Sequence, residues 1–149
     1  MLLGLFQNRV LVAGLSAWFI AQIIKVPIEY LVKHRWNWAL WFSTGGMPSS
    51  HSALITSTML ATGLYDGFDS PIFALAFAVS MVIVYDAAGV RRQAGFHAQK
   101  INLIINEIFS GQPISEETLK EVIGHSPRQV IVGVLLGFSV AILIWLVWH

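Results

Sequence analysis

Four apolar runs divided by polar punctuation set the architecture of this chain. The first covers residues 10–24, with 2–6 as an extension, and is closed by Lys25 and Pro27. The second begins at His51 and fades at Tyr65, the third covers 72–84, and the fourth covers 130–148. Only the fourth reaches the length of about 18 apolar residues usual for a membrane span; the others need their flanks to finish the crossing. Between the third and fourth runs, residues 93–124 turn polar. Within them Ile101, Ile104, Ile105 and Ile108 share one face of a helix over 97–109, which Gly111 and Pro113 break. Ser115 followed by Glu116 and Glu117 reads as an N-cap with an acidic first turn, and Leu119, Val122 and Ile123 form the apolar side of that second short helix. The pattern predicts an all-α integral membrane helical bundle with about four transmembrane spans plus a surface helical hairpin. It forms one domain over residues 1–149, without internal repeats.

Composition agrees with lipid as the solvent. The chain is 56% hydrophobic and 11% charged, against about 25% charged in an average soluble domain. Trp18, Trp36, Trp38, Trp41, Trp145 and Trp148 mostly lie near the ends of apolar runs, as interfacial tryptophans do. The first run continues past any cleavage-site pattern, so no cleavable signal peptide is expected. There is no Cys, which removes disulfides and thiolate metal sites. The five His are scattered without ligand spacing, so no metal and no cofactor is expected. The expected partners are the lipid bilayer and a phosphorylated lipid, not nucleic acid.

Four crossings bring the chemistry to one face. Lys25 ends the first span, Ser49, Ser50 and His51 open the second, and Asp86, Arg91 and Arg92 end the third. His125, Arg128 and Gln129 open the fourth. Ionisable groups at membrane depth are costly and mark function. Every Lys and Arg except Arg9 falls on this side, and removing Lys25, Arg91 and Arg92 from the count leaves the bias intact. Positive loops stay in the cytoplasm, so the site face is expected to be cytoplasmic in a multi-pass plasma-membrane protein with both termini outside. In the fourth span His125, Gln129, Gly133 and Gly137 recur every four residues. The two glycines make a small-residue surface for close helix packing, which carries His125 and Gln129 inward.

These residue types suit a phosphate ester or anhydride. Lys25, Arg91 and Arg92 can neutralise a phosphoryl group, with Arg making two-pronged contacts. Residues 45–52 hold two glycines, Pro48, three serines and His51. Pro48 favours a first helical turn, so the amides of Ser49, Ser50 and His51 would face a bound anion. Of the two span-end histidines, one attacks phosphorus and the other protonates the leaving oxygen and then activates water. Gln129, one turn after His125, is placed to orient an imidazole.

Pro48-Ser49-Ser50-His51 resembles the Pro-Ser-Gly-His motif of the type-2 phosphatidic acid phosphatase superfamily, which also includes vanadium haloperoxidases. Gly124-His125-Ser126-Pro127-Arg128-Gln129-Val130, with Gly133 and Gly137, is similar to its last motif, His-x-x-x-Asp-Val-x-x-Gly-x-x-x-Gly. The stretches 45–53 and 85–92 look like the small divergent branch of that superfamily. The resemblance implies His125 as nucleophile, His51 as general acid, and Lys25 with Arg91 or Arg92 as phosphate ligands, with Ser49 and Ser50 as the cradle. His97 is a competing nucleophile by its spacing from Arg91, but no Asp and no glycine-rich span follow it. Asp86 is expected to pair with Arg91 or Arg92 or to orient a histidine, while His34 and His149 are interfacial or terminal. The departures are Ser50 in place of Gly, a missing Arg-Pro in the first motif, and Gln129 in place of the orienting carboxylate. Usual members also have six spans, so a complete site here requires tight packing in one chain or a homo-oligomer.

The implied activity is metal-independent hydrolysis of a lipid phosphomonoester or pyrophosphate through a phosphohistidine. Phosphatidate, phosphatidylglycerophosphate and polyprenyl pyrophosphate all fit. The rival readings are a non-catalytic lipid-phosphate binder or carrier, and a structural membrane subunit whose basic face holds anionic lipids. Orientation is directly testable because the chain has no Cys. A cysteine introduced at Gln112 is expected to resist an impermeant thiol reagent in intact cells and to react once the membrane is opened. Labelling from outside would invert the topology.

Overall fold

The computed structural model describes residues 2–42, 45–108 and 126–148. Among them there are six α-helices and no strand: α1 (Leu2–Gln7), α2 (Arg9–Lys33), α3 (Ser50–Asp66), α4 (Pro71–Ala88), α5 (Val90–Ile108) and α6 (Pro127–Val147). A short 3-10 helix, Trp38–Phe42, lies between α2 and α3. Side-chain oxygens cap α2, α3, α4 and α6. Asn8 accepts from the Leu11 amide at 3.0 Å and Ser70 from the Phe73 amide at 3.2 Å, and Ser49 and Ser126 start α3 and α6.

The molecule is inside out relative to a protein folded in water. Its interior is built from small residues: Ala13, Ala17 and Ala21 of α2, Ala53 and Ala61 of α3, and Gly133, Gly137 and Ala141 of α6. Large apolar side chains such as Leu15, Phe19, Leu75, Val82, Leu135 and Leu143 point outward. Water would drive such a surface to aggregate. Hydrocarbon solvates it, and helices there associate through close contacts of small residues and interhelical hydrogen bonds. Both α2 and α6 are long and apolar enough to cross a membrane; the stretch Pro71–Ala87 of α4 is apolar but shorter. Of the four expected spans, two therefore meet length and hydropathy together. The 17 residues of α3 are interrupted by buried Ser and Thr.

At the centre, α3 packs against α2, α4 and α6, while α2 also meets α6. Hydrogen bonds pin the register: Ser57 Oγ donates to the Ala13 carbonyl at 3.0 Å, Ser80 Oγ to that of Ile55 at 3.2 Å, and Tyr65 Oη to that of Ile144 at 3.3 Å. The first two mark antiparallel neighbours. The third joins the late turns of α3 and α6, which run parallel and begin at the same end.

Three boundaries differ from the sequence-based expectation. Lys25 and Pro27 do not close the first helix, which runs on to Lys33. Proline costs only the hydrogen bond to the carbonyl four residues earlier. That carbonyl, Ile23, accepts instead from the Trp41 indole at 3.4 Å, and Gln22 Nε2 donates to the Trp41 carbonyl at 2.7 Å. The helix ends about two turns after Pro27, in a left-handed cap at His34. Second, Pro48 lies outside α3: Ser49 is the cap and Ser50 the first helical residue. Third, the polar helix begins at Val90 rather than at 97, so Arg91 and Arg92 belong to the first turn of α5 and not to the end of α4. Among the described helices α5 touches only α4. The second half of the expected surface hairpin lies outside the described residues.

The α3–α6 contact leaves no room for side chains on the glycines. A Cβ on Gly133 would stand 2.5 Å from the Ser49 carbonyl oxygen and 3.0 Å from Ser52 Cβ. One on Gly137 would overlap Thr56 Oγ1 and stand 2.5 Å from the Ala53 carbonyl oxygen. Backbone cannot yield there, so Gly133→Ala and Gly137→Ala are each expected to cost about 1–3 kcal/mol. The loss should appear as a lower thermal midpoint in detergent. Gly4→Ala, with nothing within 4 Å of its Cβ, should leave the midpoint unchanged.

Candidate functional site

The expected constellation gathers where α3 and α6 begin. Parallel helices side by side put two amide-rich, electropositive ends together. Lys25 reaches this point from α2 because Ala13, Ala17, Ala21 and Lys25 recur every four residues and form the buried row facing α3. The lysine is fully buried, with its ammonium 3.5 Å from Ser50 Oγ, long for a hydrogen bond. Gly46 covers its aliphatic stem. With φ +87°, Gly46 adopts a backbone that favours glycine, and a Cβ there would stand 3.6 Å from Lys25 Cδ.

Ser49 is consumed by structure. Its N–H donates to the Gln129 carbonyl at 3.0 Å, and its Oγ accepts from the Ser52 amide at 3.3 Å and from Ser52 Oγ at 3.0 Å. The Ser49 amide therefore drops out of the expected cradle of three; those of Ser50 and His51 lie in the first turn of α3. Ser50 is buried and His51 half-buried in this turn.

Gln129 is half-buried on the first turn of α6. Its Oε1 accepts from the Ser126 amide at 2.9 Å while Ser126 Oγ accepts from the Gln129 amide at 3.4 Å, a reciprocal capping box. This role is readable in the Ser-x-x-Gln spacing before an apolar run. His125, immediately before this cap in sequence, lies outside the described residues.

Asp86 is half-buried in the last turn of α4. Continuing the antiparallel register of the Ser80–Ile55 bond brings this end of α4 level with the start of α3. Arg91 and Arg92 follow in the first turn of α5, described by backbone alone. His97 is exposed on α5, which does not reach α3 or α6. His34 is exposed as the cap of α2. His149 lies outside the described residues. Thus the structure brings Lys25, Ser49, Ser50, His51 and Gln129 together, sets Asp86 at the same end, and separates His97 from them.

Of the two glycines ahead of Pro48, Gly46 shields the stem of Lys25. Trp41 ties the loop before the site to α2 at the proline gap, for which no sequence signal exists.

Comparison with known proteins matches the chain to the model of the Divergent PAP2 family over residues 6–140. It is 37% identical over 151 residues to the "Uncharacterized membrane protein YuiD" of Bacillus subtilis (strain 168), covering 94% of this chain and 96% of that protein. No solved structure matches it. The matched span takes in Lys25, the 45–52 turn, the 85–92 stretch and the whole row from His125 to Gly137. Because the family model covers most of the chain and the Bacillus subtilis relative is similar over nearly its whole length, the chain belongs to the Divergent PAP2 family.

Proposed function

We propose that this protein is a four-span lipid phosphatase of the plasma membrane whose site faces the cytoplasm. The observation that carries the reading is the buried Lys25 ammonium beside Ser50, at the point where two helix N-termini converge. An ammonium placed beside helix N-termini is suited to hold an anion that reaches them. A phosphoryl group supplies one, and amphiphilic substrates present it at this depth. The phosphate sits against Lys25, Ser50 and the Ser50 and His51 amides, with Arg91 or Arg92 closing over it from α5. His125 attacks phosphorus, the bond from phosphorus to the lipid oxygen breaks, and His51 protonates that oxygen. Water, deprotonated by His51, then cleaves the phosphohistidine and releases inorganic phosphate. Ser49 shapes the turn and Gln129 orients His125 with whatever hydrogen-bonding capacity the capping box leaves it. The substrate is a phosphomonoester or pyrophosphate of the phosphatidate, phosphatidylglycerophosphate or polyprenyl type.

One observation favours a second reading. The Gln129 carboxamide, in the position of the superfamily's orienting carboxylate, is engaged in capping its own helix. A protein that only binds or carries lipid phosphate needs no such carboxylate.

Inorganic phosphate release from these three lipids in detergent, without added metal, separates the readings. Wild type should release phosphate, and His125→Ala and His51→Ala should each lower the rate by about 10²-fold or more. Binding without release would sink the phosphatase and leave the carrier. Gln129→Glu should raise the rate by about tenfold, within the range of groups that orient a reactive imidazole. Glu also suits the third position of a capping box, so the helix start is preserved. No gain would remove Gln129 from the mechanism.

A further inference from the structure

The end of the bundle opposite Lys25 contains a cleft that the proposed chemistry does not use. There α2 and α4 flank α3 without touching each other, among the described residues. The gap leaves one face of α3 open over Leu54 and Thr58, with buried Thr62 at its floor, in a cleft of about 770 Å³. Thr58 and Thr62 spend their hydroxyl hydrogens on the Leu54 and Thr58 carbonyls at 2.9 and 2.8 Å. Neither hydroxyl hydrogen is therefore left for a ligand. Leu15 of α2 and Ile72 of α4 supply apolar walls.

Two opposite charges line the same cleft, Arg9 from the start of α2 and Asp66 from the end of α3. Among the described residues they form no ion pair with each other. The Arg9 guanidinium carbon lies 5.2 Å from the Tyr65 ring centre and 5.9 Å from that of Trp148, held by cation–π attraction. Asp66 is exposed and the Tyr65 hydroxyl is bonded to the Ile144 carbonyl. The cleft thus offers an apolar trough with separated positive and negative groups. An anionic head group alone would set its charge beside Asp66, and a fatty chain alone would leave both charges unmatched.

We propose that this cleft binds a zwitterionic phospholipid bearing a primary ammonium, of the phosphatidylethanolamine class. Its phosphate meets the planar fork of Arg9. Its ammonium donates to Asp66, and one hydrocarbon chain lies along Leu15, Leu54 and Ile72. A quaternary choline has no N–H to give a carboxylate and binds less well. The site is independent of the proposed catalysis.

Native mass spectrometry of the delipidated, detergent-solubilised protein tests it, with dioleoyl phosphatidylethanolamine, phosphatidylcholine and phosphatidylglycerol added in equal amounts. The ethanolamine lipid should dominate the bound species. Asp66→Asn and Arg9→Gln should each weaken its binding about tenfold, the effect of losing one charge-assisted hydrogen bond. Arg35→Gln, far from the cleft, should not. Asp66→Asn is isosteric and leaves the contacts of Arg9 with Tyr65 and Trp148 in place, so it carries the test if Arg9→Gln does not fold. Equal binding of all three lipids, or ethanolamine-lipid binding indifferent to Asp66, overturns the proposal. So does a preference for phosphatidylglycerol that depends on Arg9 alone, or a protein dimer without bound lipid.

Discussion

The close approach of α6 to α3 is the contact on which the rest depends. Two glycines let the backbones meet at Ser49, Ser52, Ala53 and Thr56. That approach lets the Gln129 carbonyl accept the Ser49 amide and sets the first turns of both helices side by side. In hydrocarbon this contact draws little from the expulsion of water. It rests on dispersion between small, closely fitted surfaces and on a few hydrogen bonds. A single methyl group at either glycine therefore acts on the site as well as on the fold.

Much of this arrangement was legible in the primary structure. The four-residue row through Gly133 and Gly137 faces α3, and the starts of α3, α4 and α6 lie within a few residues of their expected places. The errors share a cause: local signals were read without the tertiary partner that overrides them. Pro27 looked like a terminator because nothing local reveals that Trp41, beyond the end of the helix, will serve the carbonyl it strands. Ser49 looked like a phosphate ligand because its use by a segment eighty residues later is a long-range fact. Lys25 was seen as a boundary cation, yet the alanines preceding it every four residues already placed it on a packed face.

The two ends of the bundle are electrically unlike. One gathers a buried ammonium, helix N-termini and the basic start of α5, with Asp86 as the acid nearby. The other holds Arg9 and Asp66 apart along one trough. An asymmetry of this kind gives the two ends different surroundings for charge: one dominated by cations and amide dipoles, the other holding both signs apart.

The burial of Lys25 also bears on how the chain is assembled. Translation delivers α2 with its ammonium before Gly46 and Ser50 exist to enclose it. A cation more than one turn from the end of an apolar helix is costly against lipid. Until the next segment arrives, α2 gains by sitting shallow, with Lys25 near the lipid head groups. Enclosure by Gly46 and the start of α3 removes that cost, so the depth of α2 is tied to the arrival of the segment that follows it.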